Sequence, residues 1–73
     1  MGNHKVQHLT ARQEEILRCI RVTITDQGDA PTVAEIAEQV GLGPSSVHYQ
    51  LRELEAKGAI LWEPRRTRGI RLA

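Results

Sequence analysis

The sequence predicts a mainly α fold: three helices followed by one small β-hairpin. Three observations carry this. Two capping boxes, Thr10-Ala11-Arg12-Gln13 and Thr32-Val33-Ala34-Glu35, each open an apolar series of period 3.6. Gly43-Pro44 opens a third series, with Gly as N-cap and Pro as first helical residue, where its missing N–H costs nothing. After Gly58 the apolar period falls to two, which is the period of a strand.

The elements follow in order. Residues 1–8 are polar and carry no helix signal, so they read as a flexible arm, with one folded domain over 9–73. In the first helix Ile16, Leu17, Ile20 and Ile24 share a face, with Cys19 at its edge, and Gly28 suits a left-handed cap after Gln27. Asp29-Ala30-Pro31 is a short extended link, because Pro31 biases Ala30 away from helix. Val33, Ile36, Ala37 and Val40 give a short second helix that stops at Gly41. Val47, Leu51 and Leu54 stack at i, i+4 and i+7 along a third helix over about 44–57, with Lys57 in its last turn and Gly58 as terminator. Ile60 and Trp62, then Ile70 and Leu72, alternate with Leu61, Glu63, Gly69, Arg71 and Ala73. Between them, Glu63-Pro64-Arg65-Arg66 suits a turn with Pro at its second position. An isolated hairpin is marginal, so its apolar face must pack on the helices.

Length and composition bound the rest. A chain of 73 residues is one domain. With one Trp, one Tyr and no Phe, aliphatic side chains must do the packing. The single cysteine, Cys19, forms no internal disulfide and reads as a small half-buried hydrophobe. No apolar run approaches the ~18–20 residues of a membrane span. Met1 to His8 lacks the apolar centre of a signal peptide, and Val6 stands where a myristoylation motif requires Ser or Thr. The expected location is the cytoplasm, with no membrane partner. His4 and His8 have i, i+4 spacing, but nothing completes a ligand set, so no metal and no cofactor are expected.

Charge is unevenly placed. Residues 1–56 hold five basic and eight acidic side chains, whereas 57–73 hold Lys57, Arg65, Arg66, Arg68 and Arg71 against Glu63 alone. The segments carry −3 and +4, and a concentrated positive end is the footprint of an anionic partner. Two short helices joined by a glycine turn form a helix-turn-helix, whose second helix fits the major groove. An arginine-tipped hairpin directly after it completes the order of a winged helix-turn-helix, and duplex DNA is the partner this order suits.

Rotation of the third helix selects its outer face. With Val47 inward, Ser45, Tyr49 and Arg52 lie nearly opposite, flanked by Ser46, His48 and Glu53. Serine hydroxyls bond base edges or phosphates, and Arg52 pairs with a phosphate or grips guanine bidentately. His48 and Tyr49 hydrogen-bond or stack against thymine methyls. At the wing, Arg65, Arg66 and Arg68 suit phosphate or the adjacent minor groove. Trp62 can stack on a base, but its alternation with Ile60 favours a core or subunit-contact role.

Several segments together resemble the DNA-binding domain of the LexA repressor family. They are Leu9-Thr10-Ala11-Arg12-Gln13, Ala30-Pro31-Thr32 with Glu35-Ile36-Ala37, and Val40-Gly41-Leu42. Leu51-Arg52-Glu53-Leu54-Glu55-Ala56-Lys57-Gly58 and the closing Arg68-Gly69-Ile70-Arg71-Leu72 complete the resemblance, which spans residues 9–72. It implies a winged helix, operator DNA and a repressor role, classically in the DNA-damage regulon. It places base contacts at Ser45, Ser46, His48 and Tyr49, the surface that rotation selects independently. Two departures accompany it. The turn Gly41–Pro44 is shorter than the family's usual form. The family also continues into a Ser/Lys self-cleaving and dimerising domain that this sequence does not contain. Ser45 and Lys57 sit about three turns apart on one helix and make no catalytic dyad, so no enzymatic activity is expected.

The expected function is sequence-specific duplex DNA binding by a transcriptional repressor, with a homodimer formed or strengthened on DNA. Two other readings fit the same residues. One is a protein-interaction winged helix that uses Trp62, Leu61 and the exposed helix face. The other is a fragment of a larger self-cleaving repressor.

Overall fold

The computed structural model describes residues 8–73, so the expected arm over 1–8, His4 included, falls outside the described residues except for His8. Three helices and a hairpin follow in order: α1 (Ala11–Gln27), α2 (Val33–Val40), α3 (Pro44–Ala56), β1 (Ile60–Trp62) and β2 (Ile70–Leu72). This is the winged helix-turn-helix order. No helix among the described residues is long and apolar enough to cross a membrane.

Both capping boxes form. The Thr10 hydroxyl accepts from the Gln13 N–H at 3.1 Å while Gln13 Oε1 accepts from the Thr10 N–H at 3.1 Å. Thr32 and Glu35 do the same at 3.1 and 2.9 Å. Each box satisfies two of the donors a helix start leaves open. Gly41 ends α2 in the left-handed region at φ 73°, which a side chain would resist. Gly41 and Leu42 N–H groups then both close on the Ala37 carbonyl, at 2.9 and 3.0 Å. Leu42, packed against the core, thus reverses the chain so that α3 starts at once.

The core lies where the three helices meet the hairpin. Ile16 and Ile20 from α1, Ile36 from α2, and Val47, Leu51 and Leu54 from α3 are all fully buried. Ile60, Trp62 and Ile70 close the floor from the hairpin. The strands pair antiparallel in the register Ile60↔Leu72, Leu61↔Arg71 and Trp62↔Ile70. Ile60 and Trp62 therefore share the inner face, and Leu61, half exposed, takes the outer one. Leu72 departs from the alternation expected of it and is 41% exposed. It pairs with Ile60 at the open end of a two-stranded ribbon, and among the described residues no third strand flanks β2.

Among the described residues, one polar side chain is buried with the core. Gln13, 4% exposed, donates from Nε2 to Gln50 Oε1 at 3.0 Å and accepts from Lys57 Nζ at 2.7 Å. Its amide is thereby satisfied at both ends and ties the start of α1 to the length of α3. Arg12 adds a second tie, donating to the Val40 carbonyl at the end of α2 at 3.1 Å.

Candidate nucleic-acid interface

The local sequence of α3 sets which side chains face outward. Gly43 caps it with extended backbone and no side-chain hydrogen bond, and Pro44 takes the first helical position. The first-turn N–H groups, at the positive end of the helix dipole, are therefore not taken up by a capping side chain. Val47, Leu51 and Leu54 turn inward with no exposed surface, which forces Ser45, Ser46, His48, Tyr49 and Arg52 to the outside. All five are exposed, and Tyr49 is 61% so. Pro44, Ser45, His48, Tyr49 and Arg52 line one shallow, open concavity on the outer face of the helix. Of the residues that rotation nominated, Ser45, His48, Tyr49 and Arg52 are thus together on one surface, while Ser46 is exposed outside that concavity.

That surface continues into the hairpin through Trp62. The His48 ring stands edge-on to the indole, with centroids 4.7 Å apart and planes at 73°. The Arg52 guanidinium lies 5.9 Å from the same ring centroid, within cation–π range. Trp62, at 9% exposure, takes the core role of the roles open to it from the sequence.

The wing tip is a double turn. Arg66 N–H bonds the Glu63 carbonyl at 3.1 Å, closing Glu63-Pro64-Arg65-Arg66 as the sequence predicts. A second turn closes from Gly69 N–H to the Arg66 carbonyl at 3.2 Å, and Glu63 N–H returns to the Gly69 carbonyl at 2.9 Å. A Cβ added at Gly69 would collide with the Glu63 carbonyl oxygen, so the close crossing of the two strands requires glycine there. The tip displays Arg65 and Arg66 to solvent.

Arg68 has a different setting. Its guanidinium forks onto the Glu35 carboxylate, with Nη1 on Oε1 and Nη2 on Oε2 both at 3.0 Å, and Nη1 also donates to the Ala30 carbonyl at 2.8 Å. The pair is partly solvated, with side-chain exposures of 39% and 47%. Glu35 Oε1 also caps α2 through the Thr32 N–H, so one carboxylate joins a helix start to the wing. The Arg68 hydrogen bond first, and the Thr32 N–H second, hold the Glu35 carboxyl below the usual carboxylate range. Sequence reasoning placed Arg68 at the wing and missed this partner, as it missed the Gln13–Gln50–Lys57 network. A signal for Gln13 existed: it stands three and four residues before Ile16 and Leu17, on the apolar face of α1.

The LexA DNA binding domain family matches residues 6–69. The chain is 52% identical over 65 residues to the LexA repressor of Methylococcus capsulatus, covering 88% of this chain and 32% of that protein. It is 49% identical over 72 residues to the LexA repressor of Azoarcus sp., covering 97% and 36%. The LexA repressor of Mycobacterium leprae is 48% identical over 63 residues, covering 85% and 27%. The chain spans about a third of the length of the curated relatives it matches. A match over most of the chain, on three helices and a wing in this order, decides the family: the chain belongs to the LexA DNA binding domain family.

Proposed function

We propose that this chain binds duplex DNA sequence-specifically and represses transcription, with α3 in the major groove and the wing on the backbone or adjacent minor groove. The observation that carries this is the outer face of α3, where Ser45, Ser46, His48, Tyr49 and Arg52 are all exposed beside an arginine-tipped hairpin. An α-helix fits the major groove, and these side chains offer hydroxyls, an imidazole, a phenol and a guanidinium to base edges. The uncapped N-terminal N–H groups of α3 suit a backbone phosphate. Arg65 and Arg66 supply the wing's phosphate contacts. Arg68 presents its exposed edge beside them while fixing the wing to α2 through Glu35. No catalytic step is assigned to the domain.

Two copies on a palindromic site complete the reading, because one helix reads too short a half-site to be selective in a genome. The duplex holds the copies at high effective concentration, so binding is cooperative. The same contacts serve if the domain is the DNA-binding part of a longer repressor, with which its coverage of the relatives is compatible.

The test is a band-shift titration on duplexes bearing one or two half-sites, repeated across salt, with sedimentation of the free protein. The expected result is steep loss of affinity with salt, cooperative filling of two sites, and a free protein that is monomeric or weakly dimeric. Absence of duplex binding at any salt would instead favour the protein-interaction reading, with the exposed face and Leu61 as the docking surface. A tight dimer without DNA would refute the assembly alone.

A further inference from the structure

We propose that Trp62 is a specificity-determining positioning residue, a platform on β1 that presets His48 and Arg52 for reading bases. The proposal rests on the DNA reading above and deepens it. His48 and Arg52 are four residues apart on α3, so they are neighbours on one row of the helix. Both are exposed, and an exposed arginine or histidine ordinarily samples several rotamers. Here both rest on one ring. The imidazole meets the indole edge-on at 4.7 Å, and the guanidinium lies 5.9 Å from its centroid. Both are favoured geometries for a π-system with a negative face and a positive edge.

The platform itself is anchored in the core. Trp62 is 9% exposed within the core cluster, and its strand pairs through Ile70. It therefore transfers the rigidity of the core to two side chains that stand on the surface. Bidentate readout of a base needs donors in fixed positions, and ordering them before DNA arrives lowers the entropy lost on binding. Tyr49 is the internal comparison. It stands on the same outer face, 61% exposed, and makes no ring contact with Trp62. Its base preference should not depend on the indole.

The chain is tested whole, as wild type, Trp62→Phe and Trp62→Leu. Site selection from a random duplex pool gives each profile, and the His48→Ala, Arg52→Ala and Tyr49→Ala profiles locate the bases those side chains face. Affinity for a random-sequence duplex is measured in parallel. Phenylalanine keeps a π face in the core, whereas leucine keeps apolar bulk alone. The expected result is that Trp62→Phe retains the wild-type profile. Trp62→Leu should lose about tenfold in preference at the bases assigned to His48 and Arg52. Its affinity for a random-sequence duplex should fall by less than its affinity for the selected one, and its preference at the base assigned to Tyr49 should be retained.

A folded Trp62→Leu protein with the wild-type profile would overturn the proposal, as would uniform weakening on every duplex. If the leucine variant does not fold, the emission of Trp62, the sole tryptophan, decides instead. His48→Ala and Arg52→Ala should each shift that emission in the free protein, and no shift from either would overturn the platform. Failure of the wild type to select any duplex would sink the DNA reading itself. A selective wild type matched by Trp62→Leu would sink the platform alone.

Discussion

Replacing Leu51 by alanine and, separately, Tyr49 by alanine tests how α3 is rotated. Leu51 is fully buried, flanked by the equally buried Val47 and Leu54 on α3 and in one core cluster with Ile16, Ile20 and Ile36. Truncation removes three carbons, about 2.4 kcal/mol of transfer free energy at ~0.8 kcal/mol per methylene. A helix held by the Gln13–Gln50–Lys57 ties cannot simply collapse into the gap, so a cavity cost adds to this and brings the loss to about 3–4 kcal/mol. A 73-residue domain at roughly 0.05–0.15 kcal/mol per residue has about 4–11 kcal/mol in all. The melting temperature should therefore fall by about 12–30 °C. Tyr49, on the opposite face and 61% exposed, should change stability by no more than about 0.5 kcal/mol while altering the DNA sequences preferred. Thermal melts by circular dichroism and site selection, run on both variants, give the comparison. A Tyr49 variant that melts as early as the Leu51 variant, or a Leu51 variant as stable as wild type, would refute the assigned rotation.

Arg65→Ala with Arg66→Ala should weaken binding to all duplexes alike and flatten the salt dependence by roughly one unit of slope per lost phosphate contact; an unchanged slope in the folded protein would take the wing out of the interface. Glu35→Gln keeps the capping box but removes the charge that Arg68 grips, so amide exchange should quicken across 63–69 and stay unaltered in α2. Because the folded Glu35 carboxyl titrates below its ordinary range, its contribution is complete above that range and is lost as pH falls through the lowered value. The difference in wing amide chemical shifts between wild type and Glu35→Gln should thus titrate on the acid side of the ordinary carboxylate range. Gly69→Ala should open the double turn, since the added Cβ meets the Glu63 backbone carbonyl. The hydrogen bond from Glu63 N–H to the Gly69 carbonyl would be lost, and DNA affinity should drop at least as far as in the double arginine variant.

Local signals explain why so much of the fold is legible in the chain itself. The capping boxes at Thr10 and Thr32 join residues three apart, and the left-handed glycines and the Gly43-Pro44 start act on their immediate neighbours. The outer face of α3 follows from where Val47, Leu51 and Leu54 must point. The strand period likewise fixes that Ile60 and Trp62 turn inward. Periodicity does not say which polar groups meet across elements. Arg68 finds Glu35 across 33 residues, and Lys57 finds Gln13 across 44. Lys57 reads from the sequence as a dipole-complementing residue at the end of a helix, and only the packing of α1 against α3 brings Gln13 to it. The contacts of His48 and Arg52 with Trp62 depend in the same way on the angle at which α3 crosses β1, which no local pattern encodes.

Selection of bound sites from a random pool of duplex DNA by the wild-type chain, followed by a salt titration of the selected duplex, measures the central claim directly. The account predicts one enriched sequence, arranged as two related half-sites about one helical turn or its multiples apart, bound with an affinity that falls steeply as salt rises. A pool that emerges unenriched, with weak binding indifferent to salt, would contradict it.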